Sequence, residues 1–105
     1  MRVVITSSGN SPDAKLDSHF GRCSYFVFYD TVTQGMEFLP NPYKEIEDGA
    51  GTAAVQLIAS RGAGKIVSGE IGSKIKPLLD SLKIQMIIFR NKEKSIQDII
   101  NLLNH

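Results

Sequence analysis

The side chains with the widest chemical range lie close together in the segment 17–30, DSHFGRCSYFVFYD. The chain contains two histidines and one cysteine, and His19 stands four residues before Cys23, with Arg22 between them. A thiolate and an imidazole are soft or borderline ligands, which suit iron–sulfur or transition-metal species. An adjacent guanidinium supplies positive charge for an anionic ligand. The segment is therefore a candidate site for a metal–sulfur species.

The number of possible ligands limits the kind of metal site. A closed structural zinc site takes about four protein ligands, which one cysteine and one internal histidine do not provide. A pre-assembled cluster needs only one or two protein ligands, together with charge neutralisation by Arg22 and by helix N-termini. Structural roles remain open for the same residues: Cys23 as a small buried hydrophobe, His19 as a solvent-facing loop residue and Phe20 as a plug of the core.

Length and composition predict one globular domain over residues 1–105, because 42% hydrophobic and 22% charged residues are ordinary values. A net charge of +1 without a basic tail or stripe argues against a nucleic-acid partner. One cysteine excludes an internal disulfide and is compatible with a reducing cytoplasm. The N-terminal apolar run, Val3 to Ile5, is too short for a signal peptide or a membrane span. We therefore expect a soluble cytoplasmic protein.

Hydrophobic periodicity predicts the element order β-β-β-α-β-α-β-α. Strands are expected at 2–7, 24–29, 35–39, 65–69 and 84–90, and helices at 50–61, from a Ser73 cap to Leu82, and from a Ser95/Asp98 capping box to Leu103. The short link between strands two and three makes them an antiparallel hairpin, whereas right-handed crossovers make strands one, four and five parallel. We therefore expect a three-layer α/β fold. Its five-stranded mixed sheet has the order 3-2-1-4-5, with strand two antiparallel and helices on both faces.

This topology also predicts where the chemistry lies. In open α/β sheets, ligands favour the carboxyl ends of parallel strands where the strand order reverses. Strand two runs antiparallel to strand one, so its start carries His19, Arg22 and Cys23 to the end of strand one. Backbone N–H groups at Gly51 and Gly72, near the entrances of two helices, are expected at the same edge.

Two enzyme-like interpretations are disfavoured. The segment GAGTAA at 49–54 matches G-x-G-x-x-A, but it does not directly follow a strand, as a dinucleotide fingerprint should. No Ser/His/Asp order lies in a nucleophile-elbow context. We therefore expect a non-enzymatic protein that binds an anionic metal–sulfur cluster. The alternative is a binding module for an anionic metabolite or a protein partner, without metal.

Several segments together resemble the dinitrogenase iron–molybdenum cofactor biosynthesis family. They are the Ser8-Gly9 exit of strand one, SHFGR at 18–22, GAG at 49–51, VSGEIG at 67–72 and LKIQMII at 82–88. The resemblance spans nearly the whole chain. It implies a ribonuclease H-like fold and a carrier of the iron–molybdenum cofactor or an iron–sulfur precursor, with cluster-donor or acceptor proteins as partners.

The resemblance also guides the expected site. It implies cofactor-binding roles for the HFGR element, and the glycine turns and the exit of strand one stand in the matching segments. The expected cofactor-binding residues are Ser8, His19, Phe20, Gly21, Arg22, Gly51 and Gly72, and the expected metal ligands are Cys23 and His19. The resemblance in fold does not imply nuclease activity, because the first strand, RVVITS, carries no carboxylate.

Overall fold

The computed structural model describes residues 1–91 and 93–104. Its elements follow the predicted order of strands and helices. They are β1 (Arg2–Ser7), β2 (Tyr25–Asp30), β3 (Met36–Pro40), α1 (Ala50–Ser60), β4 (Ala63–Ser68), α2 (Ile75–Ser81), β5 (Gln85–Ile88) and α3 (Ile96–Leu103).

The five strands form one mixed sheet in the order β3-β2-β1-β4-β5. β2 is antiparallel to β1 and β3, whereas β4 is parallel to β1 and β5. Ser7, the last residue of β1, pairs with Tyr25, the first residue of β2. The start of β2 therefore lies beside the end of β1, and the predicted strand order and directions are confirmed.

Alternation along the central strands divides the core between the two faces of the sheet, as the period of two requires. Val4 packs with α1 and α2 on one face, whereas Val3 and Ile5 pack with α3 on the other. Both layers are closed by fully buried aliphatic side chains, such as Ile58 of α1 and Ile96 of α3. Helices cover both faces, so the predicted three-layer architecture is confirmed.

Helix caps were predicted correctly in one case and wrongly in another. Ser95 and Asp98 form the expected capping box, with the Asp98 N–H donating to the Ser95 hydroxyl at 3.1 Å. The predicted cap of α2 is wrong, because its N-cap is Lys74, in helical geometry and without a side-chain hydrogen bond. The Gly72 carbonyl instead accepts from the Ile75 N–H at 3.0 Å, so a backbone turn begins the helix.

Strand ends differ from the predicted bounds by a few residues. β4 begins at Ala63 rather than Lys65, and β5 covers only Gln85–Ile88 rather than 84–90. Within residues 1–91 and 93–104, no helix has the length and apolar character needed to cross a membrane.

Candidate functional site

An open cleft of about 670 Å³ lies at the carboxyl end of β4. Three segments line it: residues 19–22 before β2, residues 48–52 at the start of α1, and residues 70–75 between β4 and α2. The position agrees with the general preference of α/β sheets for ligands beyond the carboxyl ends of parallel strands.

Hydrogen bonds of Asp17, just before residues 19–22, fix this segment to the ends of the two central strands. The Asp17 N–H donates to the Thr6 carbonyl at 2.9 Å, and the Thr6 hydroxyl donates to the Asp17 carbonyl at 2.7 Å. That hydroxyl also shares a hydrogen bond of 3.0 Å with Ser68 at the end of β4. His19 then forms a single parallel bridge with Glu70. The segment is thus held between β1 and β4.

Glycines allow this segment to approach its neighbours at backbone distance. A Cβ atom on Gly21 would lie 2.7 Å from the Gly51 nitrogen and 2.8 Å from the Gly51 Cα, in the first turn of α1. A Cβ atom on Gly69 would lie 2.7 Å from the Ser18 Cα. Gly72 differs, since the nearest atom to its hypothetical Cβ is Ile75 Cγ1 at 4.0 Å. Gly21 and Gly69 are therefore required for packing, and Gly72 is not.

His19 is the most accessible of the predicted metal ligands. Its side chain is 71% exposed, and it lines the cleft. Its Nδ1 atom lies 3.2 Å from an Asp17 carboxylate oxygen, which also accepts the His19 backbone N–H at 2.9 Å. An imidazole with one nitrogen facing a carboxylate keeps the other nitrogen for a ligand.

The Arg22 side chain, expected to be a counter-charge, is hydrogen-bonded to a neighbouring loop. Its guanidinium donates to the carbonyl oxygens of Lys44, Ile46 and Glu47 at distances of 3.1, 2.7 and 3.2 Å. These carbonyls belong to the loop that leads into α1. Arg22 lines the cleft, but its hydrogen bonds shape the wall that ends at the N-terminus of that helix.

Asn41 was missed by the sequence analysis. Asn41 is 8% exposed, and its side-chain amide donates to the carbonyls of Gly21 and Cys23 at 3.0 and 2.9 Å. Its oxygen accepts the Tyr43 N–H at 2.9 Å. The only available signal was a polar residue between two prolines, Pro40 and Pro42, which indicates a constrained turn but not its partners.

Cys23 lies in the core rather than in the cleft. It has no accessible surface and packs in the same hydrophobic cluster as Phe20 and Phe26. Burial, with a smaller contribution from the charge of Asp17, raises the pKa of its thiol from 9.0 to about 12. Because the thiolate is the form that binds metals, this position does not fit the expected ligand role of Cys23.

The other expected residues divide clearly. His19, Phe20, Gly21, Arg22, Gly51 and Gly72 all line the cleft. Phe20 is only 4% exposed, so it forms part of the floor and of the core. Ser8 lies outside the cleft lining, and its exposed hydroxyl donates to the Lys15 carbonyl at 2.9 Å. The structure thus brings six of the eight expected residues together, without Ser8 and Cys23.

The first turn of α1 contributes backbone donors to the cleft. Gly49 is its N-cap, in left-handed geometry with φ 77°, and no side chain caps the helix. Residues 50–52, whose N–H groups begin the helix, line the cleft. The charged neighbours are mixed, with Arg22 and Lys74 opposed by Asp48 and Glu70. Such a site favours an anion through the helix end more than through net charge.

Metal-ligating side chains are sparse. Within residues 1–91 and 93–104, no group of three or more His, Cys, Asp or Glu side chains could hold a metal ion.

Known proteins are similar in both sequence and structure. The sequence profile described as dinitrogenase iron-molybdenum cofactor matches residues 1–105. An uncharacterized protein of Methanocaldococcus jannaschii is 29% identical in an alignment of 105 positions that covers 97% of this chain and 84% of that protein.

Two solved structures share the fold. The apo form of the orange protein from Desulfovibrio gigas has a TM-score of 0.89 and 27% identity, over 97% of this chain and 85% of that chain. A putative NifB protein from Thermotoga has a TM-score of 0.81 and 24% identity, over 97% and 85% of the two chains, and shows the fold alone. Because the profile matches this chain over residues 1–105, the chain belongs to the dinitrogenase iron–molybdenum cofactor family.

Proposed function

We propose that this protein is a non-enzymatic carrier of an anionic metal–sulfur cluster, of the iron–molybdenum or iron–sulfur type, and that the cluster binds in the cleft. The observation that carries the proposal is the exposed His19 imidazole at a cleft with the uncapped N-terminus of α1. Membership of the iron–molybdenum cofactor family supports the same class of cargo. A carrier also requires donor and acceptor proteins, which we place with it in the cytoplasm.

In this proposal the cluster is cargo, held by few protein groups. His19 would supply one ligand through Nε2, because its Nδ1 faces Asp17. The N–H groups at the start of α1 would receive anionic sulfides, as helix N-termini receive other anions. Gly72 is exposed and leaves the backbone accessible on one wall of the cleft, whereas Gly51 lets the start of α1 pack closely against Ile75.

Lys74 replaces Arg22 as the proposed counter-charge. The Arg22 guanidinium already donates to three carbonyl oxygens, so few of its donors remain for a ligand. Lys74 is exposed and lines the wall formed by residues 70–75. Lys76, two residues further on, lies outside the cleft and pairs with Asp80 at 3.4 Å. These two lysines form a matched pair for testing the effect of charge.

The test is anaerobic loading with iron and sulfide, followed through visible charge-transfer absorption and through metal and sulfide analysis. The wild-type protein and the Ser8→Ala and Lys76→Ala variants should take up cluster equally. Uptake should be strongly reduced in His19→Ala and weakened in Lys74→Ala. Colour that forms equally in all variants would reject the cleft as the binding site, and no colour in wild type would reject this cargo.

A second candidate is a binding module for an anionic metabolite or a protein partner, without metal. The absence of three clustered metal-ligating side chains within residues 1–91 and 93–104 favours it, as does the burial of Cys23. This alternative predicts that pyrophosphate raises the melting temperature, that iron and sulfide give no colour, and that Lys74→Ala but not Lys76→Ala removes the stabilisation. A melting temperature unchanged by pyrophosphate would count against the metabolite form of this alternative.

A further inference from the structure

We propose that Asp17 is the positioning residue of His19, and that it holds the neutral imidazole in the tautomer with its proton on Nδ1. The Nε2 lone pair is then available at the cleft. The tautomer is a property of the free protein. Its consequence for cargo rests on the proposed function.

The hydrogen-bond partners define the tautomer. An ionised carboxylate only accepts hydrogen bonds, so an imidazole nitrogen facing it must be the donor. Asp17 Oδ1 lies 3.2 Å from Nδ1 and also accepts the His19 backbone N–H at 2.9 Å. The Ser18 hydroxyl lies 3.5 Å from the same ring nitrogen, at the outer limit for a hydrogen bond. The carboxylate is thus the nearer and stronger partner.

Asp17 is itself fixed more firmly than the ring it faces. Its backbone N–H and carbonyl both bond to Thr6, a residue with no accessible surface. Thr6 in turn bonds to Ser68, so the two central strands share in holding Asp17. The Asp17 side chain is 16% exposed, whereas the imidazole is 71% exposed. A fixed carboxylate behind an exposed imidazole is the arrangement that orients histidine ligands in metal sites.

Three substitutions separate this role from a simple turn-stabilising one. Asp17→Ala removes the acceptor of both the backbone N–H and Nδ1. Asp17→Asn keeps an oxygen acceptor, because the His19 backbone N–H can bond only to the amide oxygen. Ser18→Ala removes the hydroxyl that lies 3.5 Å from Nδ1 and is the matched control. Circular dichroism and thermal unfolding check that each variant is folded.

The primary measurement is nitrogen-15 NMR of the imidazole rings at mildly alkaline pH, where imidazoles are neutral. His19→Ala assigns the His19 signals against those of His105, the chain's second histidine. We expect the proton on Nδ1 in wild type, Asp17→Asn and Ser18→Ala. We expect Asp17→Ala to lose Nδ1–H as the major form. A wild-type proton on Nε2, or an unchanged tautomer in Asp17→Ala, would overturn the proposal.

Cluster uptake is the second measurement, with iron and sulfide as the probe. Asp17→Ala should weaken binding by about 10- to 100-fold, the usual effect of losing an orienting partner, and Asp17→Asn should restore most of it. If the tautomer changes as expected but His19→Ala binds cluster normally, the proposed ligand fails while the positioning role of Asp17 is supported. Normal uptake by an Asp17→Ala variant that has changed tautomer, with uptake lost in His19→Ala, would overturn the consequence for cargo.

Discussion

Replacing Gly21 with alanine tests how the cleft is assembled. The added Cβ would lie 2.7 Å from the Gly51 nitrogen, 2.8 Å from the Gly51 Cα and 3.1 Å from the Ala50 carbonyl carbon. All three are backbone atoms of the first turn of α1, so no side-chain rotation relieves the contact. The segment and the helix must therefore move apart.

The expected loss of stability depends on whether the added Cβ meets backbone or side-chain atoms. Overpacking a well-packed site typically costs 1–3 kcal/mol, and a rigid backbone neighbour places Gly21→Ala near the upper end, at about 3 kcal/mol. Gly72→Ala is the matched control, because it adds the same group to the same cleft with its nearest neighbour at 4.0 Å. We expect that change to stay within about 0.5 kcal/mol.

Urea unfolding followed by circular dichroism measures both variants. With an m-value of about 1–3 kcal/mol per M, a loss of about 3 kcal/mol lowers the midpoint by about 1–3 M. The control midpoint should shift by no more than about 0.5 M. Equal midpoints for the Gly21 and Gly72 variants would refute the argument that contact between Gly21 and α1 builds this wall.

Four further predictions concern three side chains. The Cys23 thiol should resist alkylation in the folded protein and react after unfolding, since it has no accessible surface; rapid reaction of the folded protein would contradict its burial. The folded thiol pKa of about 12 exceeds the ordinary 9.0, so its stabilising contribution is complete below pH 9.0 and is lost as pH rises toward 12. The free energy of unfolding should therefore fall by up to about 1.4 kcal/mol per pH unit in that window, and Cys23→Ala should remove this slope. Asn41→Ala should lower the free energy of unfolding by about 1–3 kcal/mol, because it leaves the carbonyls of Gly21 and Cys23 without this donor. An unchanged urea midpoint would contradict this. Arg22→Lys should speed amide exchange in residues 44–52, since a lysine cannot reach three carbonyls with a planar fork; unchanged exchange would show that Arg22 does not organise this wall.

Topology could be predicted from the sequence because the core obeys simple periodicities. Strand β1 alternates between two helical layers, and α3 carries an apolar stripe with a local capping signal. Such patterns determine which elements form and which faces they bury. The position of residues 19–22 at this edge of the sheet then follows from strand direction, since β2 must start where β1 ends.

Side-chain placement within the loops could not be predicted in the same way. Cys23 and His19 are four residues apart, but no regular period relates them, so the sequence does not indicate which one faces solvent. The hydrogen bonds of Arg22 could not be predicted, because its acceptors are backbone carbonyls of residues 44, 46 and 47, which have no sequence signature. Asn41 was missed for a similar reason, because its partners on Gly21 and Cys23 are backbone groups distant in sequence.

The contrast between His19 and Cys23 bears on how a carrier would release its cargo. A second, thiolate ligand would strengthen the hold on a cluster, but it would require moving Cys23 out of the core and removing a proton from a thiol with a raised pKa. Without a thiolate from Cys23, the proposed binding of the cluster rests on the His19 imidazole, the backbone N–H groups at the start of α1 and the exposed Lys74 side chain. Each of these can be exchanged for a group of an acceptor protein without unfolding any part of the core. The same burial that argues against Cys23 as a ligand therefore favours a site suited to transfer over one suited to permanent storage.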